Sequence, residues 1–214
     1  MIVLGLTGSI AMGKSAVAGM IRARGIPVFD ADHAAHALTG PRGAALPAIE
    51  TLFPGVTGPE GLDRTALGAR VFNDPAALER LELLLHPMIQ SRQHTFLARC
   101  ARARRPIAVL DIPLLFETDG DRRMDAVLVV SAPARVQRRR ALARPGMTRA
   151  RFESVSARQM ADADKRRRAD YVIPTGLDKR VTLRALLRAL ADARSRPARA
   201  WPRYISGDGY HAAA

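Results

Sequence analysis

The first apolar positions do not alternate with polar ones. Ile2-Val-Leu-Gly-Leu6 is a continuous run, which predicts a short strand buried on both faces. Gly8 to Ser15 reads as a glycine-bounded turn, and residues 14–24 predict a helix ending at Gly25. Pro27-Val-Phe29 predicts a second strand, followed by Asp30-Ala-Asp32. From about residue 31 to 104 the pattern is largely helical, punctuated by Gly40-Pro41, Pro54-Gly55, Gly58-Pro59 and Asp74-Pro75. Apolar runs return at Ile107-Ala-Val-Leu-Asp111 and Ala126-Val-Leu-Val-Val130, a third and a fourth strand. A basic helix is predicted from Arg135 to Ala143, stopped by Pro145-Gly146, and a second over about 148–168. Tyr171-Val-Ile173 is a fifth strand, and about 178–194 a closing helix. Strands alternating with helices predict an α/β fold on a parallel sheet, interrupted by helical stretches at about 31–104 and 138–168.

Composition changes this picture little. The 214 residues fit one globular unit with inserted subdomains, and with 5% aromatics the core must be filled by Ala, Leu, Val and Ile. Cys100 is the lone cysteine, which excludes an internal disulfide framework and suits a reducing compartment. The amino terminus lacks a basic leader, and no apolar run approaches the ~18 residues of a membrane helix. A soluble cytoplasmic protein is expected.

Charge admits three readings. A net +14 suits nucleic acid, anionic small molecules, or an arginine-rich composition with only three lysines, Lys14, Lys165 and Lys179. The arginines are spread over most of the chain, and no basic segment is interleaved with aromatics, so a specific nucleic-acid surface is not expected.

The sharpest chemical signal is Gly8-Ser-Ile-Ala-Met-Gly13-Lys14-Ser15, which matches G-x-x-x-x-G-K-[ST] and sits between a strand and a helix. Glycines let the backbone wrap so that successive N–H groups meet phosphates; the lysine reaches the outer phosphates and Ser15 ligates Mg²⁺. Asp30 and Asp32 follow the second strand, at the sheet edge where open α/β folds bind ligands. Either can cap a helix or accept a proton; both hold if Asp30 caps and Asp32 acts. Asp111 ends the third strand as a Walker-B carboxylate would, holding Mg²⁺ through water, or else is a strand-end turn residue. Arg140 and Arg144 fall on one face of the predicted basic helix, as a phosphate clamp or as a solvated face. His33 and His36 beside Asp32 are weak evidence for a metal, and His86-Pro87 reads first as a helix start.

These residues resemble the dephospho-coenzyme A kinase family over about 2–190. Leu4-Gly-Leu-Thr-Gly8 leads into the P-loop; Asp30-Ala-Asp32, Arg70-Val-Phe72, Leu85-His-Pro87 and Leu110-Asp-Ile-Pro-Leu-Leu-Phe-Glu117 follow in the family order. So do Gln137-x-x-Arg140-x-x-x-Arg144, Arg158-Gln159, Lys165 and Ala169-Asp-Tyr-Val-Ile173. The resemblance implies a five-stranded P-loop core over 1–30, 105–137 and 169–196, an acceptor-binding insertion over 31–104, a lid over 138–168, and a loosely attached tail over 197–214. It implies ATP-dependent phosphorylation of the ribose 3′-hydroxyl of dephospho-coenzyme A by a magnesium-dependent monomer. Asp32 would be the base, with Lys14 and Arg140 as its catalytic companions. ATP would contact Gly8, Ser9, Ile10, Ala11, Met12, Gly13, Lys14, Ser15, Ala16, Arg140 and Arg144. The acceptor would meet Asp32, His86, Pro87, Pro113, Leu114, Leu115, Phe116 and Glu117. The chain departs from the family at Met12, where a small residue is usual, and at Ala16, a frequent threonine. It departs again at Thr175, commonly asparagine, so no adenine contact is carried over there. Rival readings are another small-molecule P-loop kinase, acting on nucleosides or nucleotides, and a basic nucleic-acid-binding module.

Overall fold

The computed structural model describes residues 1–72 and 74–202. In chain order the elements are β1 (Ile2–Thr7), α1 (Lys14–Arg22), β2 (Val28–Asp30), α2 (Ala31–Thr39), α3 (Leu46–Leu52), β3 (Thr57–Gly58), β4 (Gly61–Leu62), α4 (Arg64–Val71) and α5 (Pro75–Arg102). Then come β5 (Ile107–Asp111), a single 3₁₀ turn (Gly120–Arg123), β6 (Ala126–Ser131), α6 (Ala134–Leu142), α7 (Arg149–Ala157), α8 (Asp162–Arg168), β7 (Tyr171–Pro174) and α9 (Lys179–Ala193). The chain divides into two units: Met1–Phe29 with Leu97–Ala214, and Asp30–Phe96.

The first unit is built on a five-stranded sheet in the order β2-β5-β1-β6-β7. β1 lies parallel between β5 (Leu6 beside Asp111) and β6 (Leu4 beside Ala126), and β7 extends β6 in parallel. Every residue of β1, β5 and β6 is buried, as a parallel sheet covered on both faces requires. Leu4, Leu6, Val109, Leu128 and Val130 meet Val17 and Ile21 of α1 and Leu186 and Leu190 of α9. α9 offers Thr182, Leu186, Ala189, Leu190 and Ala193 as one buried stripe at helical spacing. Removing Leu-sized side chains from such a core costs about 2–5 kcal/mol each.

The second unit has its own small core of Leu38, Ile49, Phe53, Val56, Leu67 and Leu81. β3 and β4 pair in an antiparallel ladder, Thr57 beside Leu62, within a stretch that sequence pattern gave as helical with loops. Glu50 fixes that turn by accepting from the N–H groups of Gly55 (2.5 Å) and Thr57 (3.0 Å), bonds that hold its carboxyl below the usual range.

Four expectations change. His86-Pro87 does not start a helix. α5 starts at Pro75, where Asp74 caps the Ala77 N–H at 3.0 Å, and runs through Pro87 to Arg102. Proline there forgoes the bond to the Leu83 carbonyl, and Leu83 lies on an exposed stretch. The helix expected over 148–168 is two helices, because the backbone between them bonds elsewhere: the Met160 N–H donates to Glu117 Oε1 at 2.8 Å. Arg144 lies past the end of α6, whose C-cap is Ala143, so it does not continue the helical face of Arg140. Pro145 explains the stop, since the residue before proline is disfavoured in the α region. The start of the tail is not loosely attached: Asp125 Oδ1 accepts from the N–H groups of Arg199 (2.6 Å) and Ala200 (2.8 Å). Residues 203–214 of that tail lie outside the described residues.

Many of the basic side chains sit in last helical turns: Arg22, Arg99, Arg102, Arg139, and Lys165 through Arg168. Cations there offset the helix dipole, so part of the positive charge has a local structural use.

Candidate functional site

The site in the first unit begins where β1 runs out. Thr7 Oγ1 donates to the Pro113 carbonyl at 2.9 Å, tying the strand end to the turn after β5. At Gly8 a Cβ would come within 2.7 Å of the Val130 carbonyl oxygen, so the loop can pass β6 only without a side chain. The chain then takes a positive φ twice, 60° at Ala11 and 90° at Gly13. A non-glycine residue there is strained and must be held by its surroundings. Gly13 has no side chain to cap α1; the Ala16 N–H turns back to the Gly13 carbonyl at 3.1 Å, and the N–H groups of Lys14 and Ser15 at the helix start suit an anion.

Met12 turns inward. It is 2% exposed, joins the core beneath the loop, and its Sδ accepts from the Ala132 N–H at 3.2 Å. This explains the departure from a small residue: Met12 is a packing anchor, and its N–H donates to the Ser9 carbonyl at 3.2 Å.

Lys14 and Asp111 come together. Nζ lies 2.5 Å from Oδ1, with the two side chains 18% and 4% exposed. Ser15 is exposed in the first turn of α1. A serine hydroxyl and a strand-end carboxylate are hard oxygen donors. Such a set suits Mg²⁺, which takes one or two protein ligands and completes its shell with phosphates and water. Among the described residues no group of three His, Cys, Asp or Glu side chains could hold a metal by itself.

Arg140 is half-buried and turned towards the loop after β7. Its NH2 donates to the Thr175 carbonyl at 2.7 Å and its NH1 to Thr175 Oγ1 at 3.4 Å. That hydroxyl donates to the Met12 carbonyl at 2.5 Å, and the Thr175 N–H to the Ser131 carbonyl at 2.8 Å. Thr175 is therefore a buried junction between the P-loop, β6 and Arg140. Arg144 is exposed.

The segment after β5 is only partly available to a ligand. Leu115 and Phe116 are 0% and 2% exposed, packed against Val127 and Val129, so neither side chain is presented outward as the sequence reading supposes. Leu114 is 42% exposed. Glu117 Oε1 takes the ammonium of Lys165 at 2.8 Å, and Lys165 is itself wholly buried. Burial without a partner would be prohibitive for that ammonium.

In the second unit, Asp30 is the N-cap of α2, its Oδ1 accepting from the His33 N–H at 2.9 Å. Asp32 is exposed in the first turn of the same helix, and its carbonyl bonds His36 Nδ1 at 2.7 Å. His86 is half-buried on α5, and Pro87 beside it is exposed.

Sequence reasoning assigned no role to Gln137 or Gln159 and set Thr175 aside. One signal existed for Gln137: it stands three residues before Arg140, the spacing that puts two side chains on one helical face.

The sequence profile described as dephospho-CoA kinase matches residues 2–178. A dephospho-CoA kinase of Novosphingobium aromaticivorans is 59% identical over 175 residues, 82% of this chain and 86% of that one. One from Rhodospirillum rubrum is 54% identical over 194 residues, 90% and 92% of the two chains. A Thermus thermophilus protein of known crystal structure superposes with a TM-score of 0.79 at 34% identity, over 89% of this chain and 96% of that chain.

Proposed function

This chain belongs to the dephospho-CoA kinase family, and from that premise we propose which residues carry its reaction, the ATP-dependent phosphorylation of the ribose 3′-hydroxyl of dephospho-CoA to give CoA and ADP. It is the last step of CoA biosynthesis. The observation that carries the assignment of roles is the Lys14–Asp111 pair at the mouth of the P-loop.

The backbone of Gly8 to Ala16 cradles the ATP phosphates, and Lys14 neutralises charge on the outer pair. Ser15, with Asp111 through water, would hold Mg²⁺, which would supply neutralisation of the phosphate charge. Arg140 moves from the Thr175 carbonyl to a phosphate oxygen, and Arg144 adds charge from beyond the helix end. Asp32 accepts the proton of the 3′-hydroxyl as that oxygen bonds the γ-phosphorus and the bond to the β,γ-bridging oxygen breaks, releasing ADP. Support for Asp32 is its exposed place in the first turn after β2, where Asp30 already serves as the cap. His86, Pro87, Pro113, Leu114 and Glu117 are the proposed acceptor contacts, while Leu115 and Phe116 are buried against Val127 and Val129.

In this reading residues 1–30, 105–137 and 169–196 form the ATP-binding core, 31–104 the acceptor region and 138–168 the lid. The enzyme acts as a cytoplasmic monomer. No helix among the described residues is long and apolar enough to cross a membrane. A reducing compartment also suits Cys100, which is buried, its thiol pushed up by desolvation.

The deciding experiment follows dephospho-CoA loss and ADP release together, with and without Mg²⁺, against a panel of nucleosides and nucleotides. Stoichiometric release with dephospho-CoA alone is expected. Equal turnover of a nucleoside would overturn the acceptor assignment.

A further inference from the structure

Both backbone polar groups of one P-loop residue are satisfied by glutamine side chains from elsewhere in the chain. The Ile10 N–H donates to Gln159 Oε1 at 2.9 Å, and the Ile10 carbonyl accepts from Gln137 Nε2 at 3.0 Å. Gln137 lies on α6, and Gln159 lies between α7 and α8. The orientation of each amide is fixed by its partner, since a backbone N–H only donates and a carbonyl only accepts. Apolar contact accompanies the two bonds: Ala11 shares a buried cluster with Ala141 and Phe152, against which Ile10 and Met147 pack.

Peptide planarity gives this bracket a consequence. The Ile10 carbonyl and the Ala11 N–H belong to one rigid trans unit and point in opposite directions. A bond that holds the carbonyl towards Gln137 therefore aims the Ala11 N–H away from it. Gln159 holds the preceding unit in the same manner, and the Ser9 carbonyl of that unit accepts from the Met12 N–H at 3.2 Å. Directly after the bracket comes the strained αL turn at Ala11. Without it the αL residue would relax and carry the phosphate-facing amides with it.

We infer that Gln137 and Gln159 are positioning residues for phosphoryl transfer: together they set the direction of the P-loop amides, and through them α6 and the segment between α7 and α8 report on the loop that holds the phosphates. This rests on the P-loop being the ATP site. Neither glutamine touches the reacting atoms; each acts through the backbone of Ile10.

The polarity of the bracket makes it testable with two isosteric variants of the full-length enzyme. Glu in place of Gln159 still accepts from the Ile10 N–H, whereas Glu in place of Gln137 cannot donate to the carbonyl and sets two acceptors together. Both variants add the same charge beside the same residue, so charge cancels from the comparison. The KM for ATP of Gln137→Glu should exceed that of Gln159→Glu by about tenfold, the scale of one misplaced buried hydrogen bond. The KM values for dephospho-CoA should stay within about twofold of each other. Equal KM values for ATP, or a difference that only follows the Tm of the two variants, would overturn the inference. If Gln137→Glu does not fold, Gln137→Met decides: it keeps the volume but not the donor, and a KM for ATP unchanged from the parent overturns the inference. The parent and Lys14→Ala are assayed beside them. If ATP-dependent CoA formation survives Lys14→Ala, the ATP-site assignment has failed. If only the glutamine variants behave alike, the bracket alone has failed.

Discussion

The ammonium of Lys14 meets the carboxylate of Asp111 at 2.5 Å, joining the first residue of α1 to the last residue of β5. The carboxylate is the more deeply buried partner, so the lysine does two things at once: it is the loop's cation and the counter-charge of a strand end. Lys14→Ala should therefore lower both turnover and stability. Turnover should fall at least 10³-fold, each factor of ten being ~1.4 kcal/mol of barrier. The Tm should fall as well, because Asp111 loses its cation in a dry place. Adding Asp111→Asn should return much of the Tm and none of the activity, measured by thermal melts and coupled ADP release. Full activity in Lys14→Ala would overturn the assignment.

Asp30 and Asp32 should separate cleanly. Asparagine caps helices about as well as aspartate, so Asp30→Asn should change little. Asp32→Asn should lower the single-turnover rate by ~10²–10⁴-fold with the KM for ATP kept, the range typical of a lost general base. A loss of ATP–Mg²⁺ binding instead would move Asp32 into the metal shell.

Lys165 is wholly buried against Glu117, whose Oε2 is buried with no hydrogen-bond partner among the described residues. Lys165→Met leaves a carboxylate charge without its cation and should cost about 3–5 kcal/mol in urea unfolding. Lys165→Met with Glu117→Gln should recover most of that loss. If the double variant is no more stable than the single one, the pair is not the reason this ammonium is inside.

Tyr171 donates its hydroxyl to Asp192 beneath the guanidinium of Arg196. Burial, and then the bond to Asp192, pushes its pKa from about 10 up to about 12. The folded state thus holds this proton more tightly than the unfolded state. The contribution is complete below pH ~10 and is lost as pH rises from about 10 to about 12. Tyr171→Phe should flatten the alkaline limb of the stability curve in that window and leave the acid limb alone, read by denaturant midpoints across pH.

Period and punctuation revealed the sheet because parallel strands buried on both faces leave unbroken apolar runs. β1, β5 and β6 are such runs, and their neighbours Gly8, Lys14, Ser15 and Asp111 could be placed from them. The P-loop was legible because its chemistry is local. What sequence could not show was chemistry made by distant partners. Thr175 looked like a failed asparagine until its hydroxyl was seen on the Met12 carbonyl, 163 positions away. Glu117 reads as an acceptor contact and Lys165 only as part of the family resemblance, since nothing in either neighbourhood announces the other. The break between α7 and α8 was missed for the same reason: the Met160 N–H leaves the helix for Glu117. The span of α5 across Pro87 shows the converse, a strong local signal outvoted by a helix already begun at Pro75.

The pairing of Ile2 with Ile107 sets a timetable for synthesis. β1 leaves the ribosome before both its neighbours, which are encoded roughly a hundred residues later, a separation that delays closure of the sheet. At about 5–20 residues per second, an apolar strand and its glycine loop wait on the order of ten seconds for a partner. In that interval the segment around Asp30–Phe96 has all of its own core and can fold first. The glycine loop that follows β1, made before that segment, would then take shape after it.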